Sequence, residues 1–62
     1  MYNVIVHVVD RHSKKVGITR TVGPFATREE ANKATRGFVE EVDAEYQKWA
    51  NYSALLSEIV ET

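Results

Sequence analysis

The sequence predicts an α+β protein: an N-terminal antiparallel β-hairpin followed by one long α-helix, straight or kinked, in a ββα chain that dimerises. Three observations predict it. The first nine residues are dense in β-branched side chains, Thr27 and Glu30 spell a helix start, and apolar side chains then recur at helical steps as far as Ile59.

Residues 2–9 read as the first strand, with Tyr2, Val4, Val6 and Val8 on one face and Asn3, Ile5, His7 and Val9 on the other. The first face is wholly apolar and belongs against a core. The second is half apolar, more than a solvated face needs. Residues 10–15 carry no apolar side chain and no Asn-Gly or Gly-Gly pair, which favours a hairpin loop longer than two residues. Residues 16–22 form the second strand, with Val16, Ile18, Arg20 and Val22 facing one way. Gly23-Pro24 is expected to stop the sheet, because proline cannot donate to a ladder. Thr27 and Glu30 then make a capping box, and Glu29 and Glu30 sit at the positive end of the helix dipole.

The helix is expected over residues 28–60, giving a single domain over 1–62. Ala31, Ala34, Phe38, Val42, Tyr46, Trp49, Tyr52, Leu56 and Ile59 follow one another at steps of three or four. Gly37 costs about 1 kcal/mol relative to alanine in a helix interior, which suggests close packing at that point. Asn51-Tyr52-Ser53 is the weakest link, since Ser53 can cap a separate final helix. Such a helix is about 50 Å long, whereas the strands reach only about 25 Å. The hairpin then covers half the stripe. Tyr46, Trp49, Tyr52, Leu55, Leu56, Ile59 and Val60 are left without cover, so either the chain bends near Asn51 or a second molecule packs there. The second solution is favoured, because a domain this small has little stability to forfeit. Those seven residues are the expected dimer or partner interface. Tyr and Trp are also the side chains most enriched in interface hot spots.

Composition narrows the function. The chain is 62 residues, 44% hydrophobic and 27% charged, which is globular rather than disordered and short for an enzyme. The longest apolar runs, Val4-Ile5-Val6 and Ala54-Leu55-Leu56, cannot span a membrane, and no basic segment leads into an apolar one as in a secretory signal. Without cysteine the chain suits a reducing cytoplasm. Residues 1–36 hold seven Lys/Arg against three acids, and residues 37–62 hold one against six. This polarity suits electrostatic complementarity, between subunits or with a basic partner.

No constellation reads as catalytic, cofactor-binding or metal-ligating. His7 and His12 lack a second ligand at metal spacing, the serines lack a nucleophile elbow, and Gly17, Gly23 and Gly37 form no phosphate-cradling loop. Arg11, Lys14, Lys15 and Arg20 crowd one hairpin and offer the alternative, a salt-sensitive nucleic-acid contact. No aromatic side chain is interleaved there for base stacking.

The run Val22-Gly23-Pro24-Phe25-Ala26-Thr27-Arg28-Glu29-Glu30-Ala31 resembles the strand-to-helix junction of small actinobacterial and actinobacteriophage proteins that open on an M-Y-x-V strand. It is also similar to half of a SPOR peptidoglycan-binding domain. A strand-strand-helix with a basic face resembles the arm-type DNA-binding domain of phage integrases. The first resemblance implies a phage-type accessory role in the cytoplasm of a bacterial host; with the uncovered aromatic and acidic stripe, the expectation is a homodimer that binds a host protein through that segment.

Overall fold

The chain runs β1 (Tyr2–Asp10), β2 (Val16–Phe25), α1 (Arg28–Tyr46) and β3 (Tyr52–Glu61) in a computed structural model that describes residues 1–62. The strands make one antiparallel sheet in the order β2-β1-β3. β1 is therefore the central strand, and α1 carries the chain from one edge to the other. The fold is α+β, but its order is ββαβ rather than ββα.

β1 takes the centre because both of its backbone edges are paired, one with β2 and the other with β3. Val4, Val6 and Val8 stand opposite Val22, Arg20 and Ile18 on β2, and opposite Ile59, Ser57 and Leu55 on β3. This row lies under α1. The core consists of Val4, Val6, Val8, Ala31 and Val42, all fully enclosed. Ile18, Phe38, Val39, Tyr46, Trp49, Tyr52 and Leu55 pack around its Val6–Val8–Val42 part.

The loop after β1 is five residues long and is tied by Asp10, whose Oδ1 accepts from the backbone N–H groups of His12 (2.7 Å) and Ser13 (3.2 Å). Gly23-Pro24 does not stop the sheet at residue 22. β2 continues to Phe25, opposite Tyr2. Proline is tolerated there because β2 is an edge strand, where one row of N–H groups has no partner to lose. Gly23 has φ +139°, and a Cβ at that position would collide with the Asn3 side chain and the Tyr2 carbonyl. Only glycine fits.

α1 begins as expected. Thr27 Oγ1 accepts from the Glu30 N–H at 3.1 Å. The helix runs unbroken through Gly37, and nothing packs against that residue, so the close packing expected there is absent.

The helix does not reach residue 60. It ends at Tyr46, and the chain then turns through the bonds Trp49 N–H to Tyr46 O (2.9 Å) and Tyr52 N–H to Trp49 O (3.0 Å). A 19-residue helix is about 28 Å long, which matches strands of nine or ten residues at about 30 Å. The stripe therefore does not outrun the sheet. β1 has a second edge whose N–H and C=O groups need partners, and residues 52–61 supply them, pairing from Asp10↔Tyr52 to Tyr2↔Glu61. No helix is long and apolar enough to cross a membrane.

Candidate interaction surface

The seven residues expected to form one interface are divided by the fold. Tyr46, Trp49, Tyr52 and Leu55 pack on the rim of the core. Tyr46 and Trp49 meet edge-on at 6.5 Å, and the Trp49 ring lies against Gly17 of β2. The Tyr52 hydroxyl donates to Asp43 Oδ1 at 2.6 Å, joining the start of β3 to the end of α1. That hydrogen bond, then burial and the Asp43 charge, hold the Tyr52 phenol above the ordinary tyrosine range. Ile59 stands opposite Val4 on the helix side. Leu56 and Val60 alone lie on the opposite face, in register with His7 and Asn3.

The basic group is divided too. Arg11, Lys14 and Lys15 are exposed in the hairpin loop. Arg20, being opposite Val6, points to the helix side and binds Glu45 through Nη1 (2.9 Å to Oε1, 2.8 Å to Oε2) and the Tyr46 hydroxyl (3.4 Å). The Arg11 side chain reaches back to the Tyr52 carbonyl at 3.4 Å. What remains for a phosphate backbone is two lysines and one partly engaged arginine.

The surface that sequence reasoning did not find is the far face of the sheet. β1 contributes Asn3, Ile5, His7 and Val9; β2 adds Thr19 and Thr21; β3 adds Ala54, Leu56, Glu58 and Val60. No element of the chain covers it, and Leu56 is 56% exposed. His7 sits at its centre. Its Nδ1 is 3.1 Å from Thr19 Oγ1 and its Nε2 is 3.8 Å from Glu58 Oε1. Glu58 lies far from His7 in sequence, so only the β1–β3 register brings them together. The half-apolar second face of β1 was the one signal pointing here.

Acid, imidazole and hydroxyl in a row are the components of a nucleophile relay. At 3.8 Å, however, the His7–Glu58 contact exceeds hydrogen-bond length, and no pocket opens on the surface to desolvate a reacting group. No three His, Asp or Glu side chains gather at metal-binding distance. What the face offers chemically is a patch on which Ile5, Val9, Leu56 and Val60 alternate with Asn3, His7 and Glu58.

Compared with models of known protein families, with curated proteins and with solved structures, the chain gives no match.

Proposed function

We propose that the chain is a small non-enzymatic interaction module that homodimerises and presents the open face of its sheet to a partner protein. One observation carries this reading: the single helix covers one side of the sheet, while no element lies over the other, where Leu56 is exposed and Ile5, Val9 and Val60 are half-buried. Scattered apolar residues on a surface need no explanation, but an uncovered sheet face on which four apolar side chains alternate with Asn3, His7 and Glu58 has the mixed composition of a contact site. The contact surface is thereby moved from the aromatic segment to the far face. The aromatic segment serves the core. A phage-type accessory role, with a host protein as the partner, is supported by the resemblance of the Val22–Ala31 junction.

The test is capture of proteins from an actinobacterial lysate on the immobilised chain at physiological salt. Replacing Ile5 and Val9 together by Thr keeps strand propensity and removes two of the four apolar side chains. Loss of the captured protein is expected, and undiminished capture sinks the reading. The nucleic-acid alternative would show as binding that nuclease treatment, added salt or Lys14→Glu with Lys15→Glu abolishes.

A further inference from the structure

We infer that the second copy docks edge to edge on β3, through a two-fold axis at Ser57, to make one continuous six-stranded sheet. This rests on the homodimer of the proposed function and names the surface that forms it.

The sheet has two edges, and they are treated differently. β2 is blunted: Pro24 removes a donor, and the register with β1 shifts near both ends, between Tyr2 and Val4 and between Val8 and Val9. β3 has one such shift, at its start beside Val9 and Asp10. From Ala54 to Glu61 it pairs with β1 without interruption and contains no proline, glycine, lysine or arginine. Ser53, Ala54, Leu56, Ser57 and Glu58 are all exposed, so nothing in the chain lies over that edge. In an antiparallel ladder alternate residues turn both N–H and C=O away from the neighbouring strand. A long edge left so is a template for another strand.

The side chains select a second copy as that strand. A two-fold axis normal to the sheet pairs residues of the same face. Centred on Ser57, it sets Leu55 against Ile59 on the helix side and Ala54 against Val60 on the open side. Glu58 then faces Leu56 and Glu61 faces Ser53, so no acid directly opposes another. Centring on Glu58 would put like charges face to face. Centring on Leu56 would set Leu55 against Ser57 and Ala54 against Glu58. Centring on Leu55 would leave residues 59–61 without partners. The Ser57 axis alone pairs Leu55 with Ile59 and Ala54 with Val60 without setting one acid against another, although it leaves Leu56 opposite Glu58. It also enlarges a core that encloses only five residues per chain, and it joins the two open faces into one platform.

The test is the mass of the intact chain by sedimentation equilibrium, from micromolar to millimolar concentration, for wild type, Leu56→Glu and Leu56→Lys. Leu56 is exposed, so both variants should keep the fold, checked by circular dichroism. The wild type should reach twice the 7.1 kDa chain mass. Leu56→Glu sets two Glu–Glu oppositions across the axis and should weaken the dimer about tenfold or more. Leu56→Lys sets two Lys–Glu pairs there and should leave it as tight or tighter. A dimer indifferent to Leu56→Glu, or one lost equally in both variants as burial of Leu56 in a face-to-face sandwich would give, overturns the edge contact and leaves the homodimer standing. A chain that stays at 7.1 kDa at millimolar concentration overturns both.

Discussion

Trp49→Ala separates a core tryptophan from an interface tryptophan. Removing a fully enclosed Trp costs about 3–5 kcal/mol. Trp49 is half-buried, against Gly17 and edge-on to Tyr46, so about 2–3 kcal/mol is expected, including the loss of the aromatic pair. At about 0.05–0.15 kcal/mol per residue, a chain of 62 residues has about 3–9 kcal/mol in all. The substitution therefore removes about a fifth of the stability at the least. In urea the midpoint should fall by about 2–3 M, for a slope near 1 kcal/mol per molar, with the slope itself unchanged. Far-UV circular dichroism is the readout, because Trp49 is the only tryptophan and its own fluorescence disappears with it. A loss below about 1 kcal/mol, together with weakened self-association, would refute its place in the core.

Gly37→Ala should stabilise the chain by about 0.5–1 kcal/mol, since the position is mid-helix and a methyl group there meets nothing; thermal unfolding checks it. Thr27→Ala should cost about 1 kcal/mol by leaving the Glu30 N–H without its 3.1 Å acceptor, measured by the same scan. Tyr52→Phe should cost about 1 kcal/mol near neutrality through loss of the bond to Asp43. Because the Tyr52 phenol titrates above the ordinary value near 10, its contribution is complete below that pH and is lost as pH rises through the folded-state value. The stability gap between wild type and Tyr52→Phe should therefore close in strongly alkaline buffer; a gap independent of pH would exclude the hydrogen bond as its source.

Local chemistry made the first half of the fold legible. The β-branched run of residues 2–9, the polar loop and the Thr27 cap are each specified through near neighbours, and the first strand, the loop and the helix start stand where they were expected. Pro24 misled, because its exclusion from sheets does not extend to an edge strand. The larger departure is β3. Tyr52, Leu56 and Ile59 fit helical steps, yet Leu55 and Ile59 also share one face of a strand and Leu56 and Val60 the other, so periodicity could not choose between the two. Asn51-Tyr52-Ser53 is the weakest link of the helical reading, yet the helix already ends at Tyr46, and the conformation of residues 52–61 is decided by β1, whose unpaired edge gains a full ladder from an extended segment and nothing from a helix. The open face was illegible for the same reason. His7 acquires Glu58 and Thr19 as neighbours only once the strand order is known.

The innermost strand is made first, and one of its two neighbours, β3, comes only after α1. On the ribosome, a nascent chain that has not yet released residues 52–61 can close the hairpin and lay α1 on Val6 and Val8, but one whole side of the β1 backbone then faces water. Tyr52 and Leu55 are also missing from the rim of the core at that stage. Such a half-made sheet is a sticky species, prone to borrow a strand from a neighbour. Shielding it until β3 arrives falls to whatever meets the emerging chain.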